Sequence, residues 1–175
     1  FLATVVKRIS PDAYASLGNF NIVELDGSWA DFHSQLITAT RVERVDPALP
    51  NLIIIDVLDR VWGDLVTWTE NRARNSHDMR ARLRQDPNAL VDTSGYWTDT
   101  KARWGAMMRV LQQWDGIVVL CARGGDVAVY ENGVAVPGAS VYRIAVEKNT
   151  LSAVNFEVAM VDGVATVAST NNLNV

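Results

Sequence analysis

The chain has 175 residues, enough for one domain with a sizeable core and too few for two of ordinary size. A formal charge of −4, a single cysteine and two histidines exclude a global basic field for nucleic acid, an internal disulfide and a zinc cluster, so metal chemistry would fall to carboxylates. No apolar run approaches the roughly 18 residues that span a membrane and no signal-peptide pattern opens the chain, which makes a soluble cytoplasmic protein the expectation. The start at Phe1, directly on an apolar run, suggests that sequence lies upstream.

In chain order, Phe1 to Val6 reads as a buried strand and Asn21 to Leu25 as another short one. Ser28 and Asp31 have capping-box spacing, with Asp in place of Glu or Gln, ahead of a helix carrying Phe32, Leu36 and Ala39 on one side. Asn51-Leu52-Ile53-Ile54-Ile55-Asp56 is an apolar run that stops at an acid; four aliphatics fit a strand buried on both faces, at the centre of a parallel sheet. Trp62, Leu65, Val66, Thr69 and Ala73 then follow helical spacing, and an arginine-rich polar stretch comes next. Trp104, Met107, Met108 and Leu111 mark a further helix that Gly116 can end, before the fully apolar strand Ile117 to Leu120. Leu52 to Asp56 and Ile117 to Arg123 thus read as parallel neighbours.

Beyond Arg123 the pattern turns to antiparallel β. Val127 to Tyr130 and Val134 to Val136 flank Glu131-Asn132-Gly133, a hairpin signal. Tyr142, Ile144 and Val146 alternate with Arg143 and Glu147, and Val154, Phe156, Val158 and Met160 alternate before Asp162-Gly163, so these strands should have one wet face. The tail Asn171 to Asn174 is polar and reads as frayed. One domain is expected over 1–175, with an α/β core over 1–123 and a β-rich extension over 124–170.

Asp56 has two readings. Ligands of open α/β sheets bind outside the carboxyl ends of the strands, so an acid there can hold Mg²⁺ directly or through water; otherwise it caps the turn into the next helix. The segment NLIIIDVLDRVWGDL, the helix before Trp114-Asp115-Gly116, the strand Ile117 to Leu120 ending in Cys121-Ala122-Arg123, and the hairpins after it resemble the RecA-like P-loop ATPases encoded by bacteriophages. The similarity is one of element order and spacing, to about Met160. It implies a RecA-like P-loop NTPase core, α/β with a mostly parallel sheet and antiparallel hairpins at the C-terminus. It also implies a homo-oligomeric ring or filament that binds Mg-ATP between subunits and uses hydrolysis to change contacts with single-stranded DNA in recombination, repair or annealing.

On that resemblance Asp56 is the Walker B acid for Mg²⁺ and Asp59 a supporting or water-orienting carboxylate. Arg123 is a sensor for the γ-phosphate, while Arg143 and Lys148 are cations reaching a neighbour's nucleotide. The chain departs from the family in lacking any GxxxxGK[ST] loop, which the family places just before a strand like Phe1 to Val6, and in having no acid at Val5-Val6-Lys7.

Plainer roles stand beside these. Arg123 can pair with a nearby surface acid, and Gly124-Gly125 most simply makes a tight turn, the alternative being a backbone that approaches a phosphate. Arg72, Arg74, Arg80, Arg82 and Arg84, followed by Lys101, Arg103 and Arg109 and with Trp68, Tyr96 and Trp97 close in sequence, fit a stacking and electrostatic surface for single-stranded DNA. They equally fit a solvated helix or Arg–acid pairs across a subunit interface. Arg143 and Lys148 can be simple exposed cations, and the tryptophans, above all Trp62 and Trp104, core. The rival to an ATPase is a degenerate RecA-like module that binds or assembles without turnover; a phage structural protein is a third class.

Overall fold

The computed structural model describes residues 4–5, 20–44, 46–131 and 134–170. The elements run β1 (Thr4–Val5), α1 (Trp29–Thr40), β2 (Asn51–Asp56), α2 (Leu58–Arg74), α3 (His77–Gln85), α4 (Trp97–Gln113), β3 (Gly116–Cys121), β4 (Gly124–Glu131), β5 (Val134–Ile144), β6 (Phe156–Val161) and β7 (Val164–Thr170). Most of Phe1 to Val6, Lys7, the Asn132-Gly133 turn and the tail Asn171 to Asn174 lie outside the described residues.

Local sequence explains the helices. Ser28 is extended, and its hydroxyl accepts the Asp31 N–H at 3.1 Å, which satisfies one of the orphan donors that open α1. The return bond of the capping box is redirected: Asp26 Oδ1 already accepts the Ser28 N–H at 2.6 Å, so Asp31 Oδ2 accepts the Asp26 N–H instead, at 2.9 Å. α1 buries Trp29, Phe32, Leu36 and Ala39. α2 buries Leu58, Val61, Leu65, Thr69 and Ala73, so that Trp62 and Val66, expected on the buried row, sit half-buried on its flank. α4 buries Thr100, Trp104, Met107, Met108 and Leu111. These rows meet Ile53 and Ile55 of β2 in one core, where Trp62 packs edge-on against Trp104 at 5.2 Å. Thr69 and Thr100 share a hydroxyl hydrogen bond of 2.6 Å inside it, so two hydroxyls are buried without an unmet partner.

β2 lies between β1 and β3, both parallel to it, with β3 in register from Asn51↔Gly116 to Asp56↔Cys121. The expected parallel pairing of the two apolar strands therefore forms, and the helices between them supply the crossover that parallel strands need. Gly116 opens β3 rather than ending α4; a Cβ there would sit 2.5 Å from the Trp114 ring and 2.8 Å from the Asn51 carbonyl oxygen. Asn21 to Leu25 forms no strand, only a bridge at Asn21.

The RecA-like architecture is not what forms. Among the described residues the parallel sheet consists of two six-residue strands and a two-residue third, and the core is built on one of its faces. Ile53 and Ile55 are fully buried, and Val118 and Leu120 pack beside them; on the other face Ile117 is 52% and Val119 41% exposed. A broad parallel sheet covered on both faces would bury both sets. The C-terminal strands do not extend this sheet but form two separate antiparallel pairs, β4–β5 and β6–β7. Asp162 and Gly163 turn the second hairpin with φ of 50° and 79°, the left-handed pair that a two-residue hairpin turn demands. Among the described residues no helix is long and apolar enough to cross a membrane.

Candidate functional site at the carboxyl edge

Parallel pairing dictates where the chemistry-bearing residues fall. Asp56 ends β2 opposite Cys121, which ends β3, and Arg123 follows two residues later, so the acid and the guanidinium leave the sheet at the same edge. The chain enters α2 at Leu58, which puts Asp59 in the first turn, where the helix dipole favours a negative charge.

Asp59 ties the two strand exits together across 64 residues. Its Oδ1 accepts the Arg123 backbone N–H at 3.0 Å, and its Oδ2 accepts Arg123 Nε at 3.1 Å and Nη2 at 2.7 Å. The carboxylate side chain is only 10% exposed and the arginine 65%, so one end of the pair is sheltered and the other open to a ligand. Burial pushes the Asp59 carboxyl up, but the hydrogen bonds and charge of Arg123 outweigh it and hold the group below the usual carboxylate range. Arg123 is raised in turn by its bonds to Asp59 and by that charge, with a smaller contribution from Asp56. Burial first, and then the charge of Asp56, push the Cys121 thiol up.

Arg123 therefore does have the acid partner that its plainer reading called for, and Asp59 spends its oxygens on positioning Arg123. Gly124 and Gly125 begin β4 and make no tight turn. A Cβ on Gly124 would come 2.4 Å from the Arg143 carbonyl oxygen and 2.8 Å from the Tyr142 ring, so glycine is needed for the close approach of β5. That approach pairs Arg143 with Gly125, which brings the backbone of Arg143 beside the strand leaving the edge. Lys148 lies beyond β5, exposed, next to the buried Glu147, whose carboxylate accepts the Asn149 N–H at 2.7 Å.

The described residues hold no group of three or more His, Cys, Asp or Glu that could cage a metal. Mg²⁺ asks for less, because one or two carboxylates suffice when phosphates and waters complete its octahedron. Asp56 at the carboxyl edge, outside any such group, fits a Mg²⁺ carried by a nucleotide and does not fit a protein-only metal site. A small recess between the start of α1 and the first turns of α2, lined by Leu25, Ser28, Trp29, Arg60 and Asp64 among others, includes none of Asp56, Asp59 and Arg123.

The arginine-rich region divides in two. Arg80, Arg82 and Arg84 are exposed on α3, with Arg80 and Arg84 one turn apart. Arg72 and Arg103 both reach Asp99, and their guanidinium groups lie 5.3 and 4.3 Å from the centre of the Trp68 ring. Trp68 is thus stacked by the chain's own cations. The sequence did not reveal this cluster, nor Asp59 as the acid holding Arg123. Its one hint was an acid three residues after Asp56, one position into the helix. No family model matches the chain, and neither a curated protein nor a solved structure shows significant similarity to it.

Proposed function

We propose that the carboxyl edge of β2 and β3 binds a Mg²⁺-nucleotide through its phosphates, as the nucleotide site of an ATPase. The observation that carries this reading is the convergence of Asp56 and an Asp59-positioned Arg123 at adjacent ends of parallel strands, where open α/β sheets take their ligands. Asp56 would hold Mg²⁺ directly or through water, and the ion would neutralise the phosphates to which it is bound. Arg123 keeps donors beyond those given to Asp59, and a guanidinium fits phosphate oxygens in a bidentate geometry. Asp59 acts as a positioning residue, holding both the backbone and the side chain of Arg123.

The 175 residues contain no GxxxxGK[ST], so the backbone cradle that gives such sites their affinity is not among them, and binding by this chain should be weak, with a Kd of about 1 mM or higher. Calorimetric titration with ATP, with and without Mg²⁺, tests the reading. Weak binding that needs Mg²⁺ and disappears in Asp56→Asn supports it, whereas binding indifferent to both removes Asp56 from the site. A second reading, a module that binds nucleotide without hydrolysing it, is favoured by the commitment of Asp59 to Arg123, which leaves that carboxylate poorly placed to orient water. Phosphate release at saturating Mg-ATP separates the two.

A further inference from the structure

An open aromatic ring stands beside the carboxyl edge. In the β4–β5 pair Gly124 faces Ile144 and Asp126 faces Tyr142, so these four residues lie on one side of the ribbon. Tyr142 leans along β5 toward the edge: a Cβ on Gly124 would stand 2.8 Å from both its Cζ and its Oη, so the phenol rests against the bare backbone one residue after Arg123. Consecutive Cα atoms are about 3.8 Å apart, which puts the phenol within about 8 Å of the Arg123 Cα. Tyr142 is nonetheless 62% exposed, so most of the ring stays open to a ligand. Trp29, in the recess beside α1, is 6% exposed, and Trp68 is stacked by Arg72 and Arg103, so neither presents a ring in this way.

We infer that Tyr142 is the platform on which the base of the bound nucleotide stacks, an inference that rests on the nucleotide reading of the edge. With the phosphates at Arg123 and at the Mg²⁺ held by Asp56, the ribose and base extend past Gly124 toward β5, where the phenol lies. Asp126, exposed opposite Tyr142, puts an acid on the same face; it repels phosphate and leaves that face to the uncharged base. Stacking on an aromatic ring uses the π-face that every base has, so it contributes affinity without selecting one base. The ligand class is a nucleoside triphosphate of any base, held more tightly than a polyphosphate alone would be by the same phosphate contacts. Gly124 belongs to the device, because any side chain there would displace the phenol.

The test compares Mg-ATP with Mg-tripolyphosphate, which carries phosphates and no base, by amide-shift titration of the 175-residue chain and of its Tyr142→Leu and Tyr142→Phe variants. Removing the ring should weaken Mg-ATP by about fivefold or more, the scale of one base–aromatic stack, and leave Mg-tripolyphosphate unchanged, whereas Tyr142→Phe should bind both like the parent. Because Tyr142 is exposed, both variants should melt with the parent. In the parent itself the Tyr142 ring resonances should shift with Mg-ATP and stay in place with Mg-tripolyphosphate, which reads the contact without a substitution. Mg-tripolyphosphate bound at the edge, together with a Tyr142→Leu variant that holds Mg-ATP as tightly as the parent, overturns the inference and spares the phosphate site. Equal weakening of both ligands also overturns it, since Tyr142 would then shape the phosphate site. Absence of Mg²⁺-dependent binding of either ligand at the edge removes the nucleotide reading and the platform with it.

Discussion

Asp59 and Cys121 make the carboxyl edge measurable one residue at a time. The folded-state pKa of Asp59 lies below its ordinary value of 3.8, so its stabilisation is present above that value and is lost as pH falls through the folded one. Asp59→Asn should lower Tm by about 2–4 °C, a gap that stays constant between about pH 5 and 7 and closes below about pH 4. Thermal melts across that range check it, and a gap that widens on acidification would refute the assigned role. Cys121 offers a second readout, because burial and then the charge of Asp56 opposite it raise its thiol. Its alkylation midpoint should lie above the ordinary thiol value and move down when Asp56→Asn removes the charge. An unmoved midpoint would mean that Asp56 does not face the edge. Of this site, the sequence made legible the acid that ends an apolar strand and the arginine that ends the next. The pairing of Asp59 with Arg123 was not legible as a geometry, because it spans 64 residues and depends on the strand register.

At the scale of elements, the two faces of the parallel pair should respond unequally to truncation. Ile53→Ala removes a fully buried side chain and should cost about 2–5 kcal/mol, whereas Ile117→Ala on the open face should cost under about 1 kcal/mol. Denaturant unfolding of both variants decides it, and equal losses would mean that the outer face is covered. This asymmetry marks the limit of reading strands from sequence. Leu52 to Ile55 and Ile117 to Leu120 are apolar on both faces, which correctly gives two parallel strands joined through helices. Nothing local says whether both faces find a cover. Helix spacing was more legible, since the α4 row Trp104, Met107, Met108 and Leu111 is buried as its periodicity requires. In α2 the buried row is Leu58, Val61, Leu65, Thr69 and Ala73, so it runs through the first turn of the helix, and Trp62 and Val66 fall on its flank.

For the whole molecule, composition and periodicity read as an α/β fold on a mostly parallel sheet with a change to antiparallel strands after Arg123; the antiparallel pairs form, whereas the broad parallel sheet does not. They did not set the architecture. Alternation along Phe156 to Met160 says that one face should be buried and is silent about what buries it, and the β-rich extension after Arg123 forms two separate hairpins. The carboxyl edge survives that correction because it needs only β2, β3 and the start of α2. The most direct test of a nucleotide site there is a titration of the ¹⁵N-labelled chain with Mg-ATP, followed by amide chemical shifts over the whole molecule. Binding at this edge predicts the largest shifts at Asp56, Val57 and Leu58 and from Cys121 to Gly125, lost when Mg²⁺ is chelated and in Asp56→Asn. Shifts centred on the exposed arginines Arg80, Arg82 and Arg84, or a pattern unchanged without Mg²⁺, would contradict it.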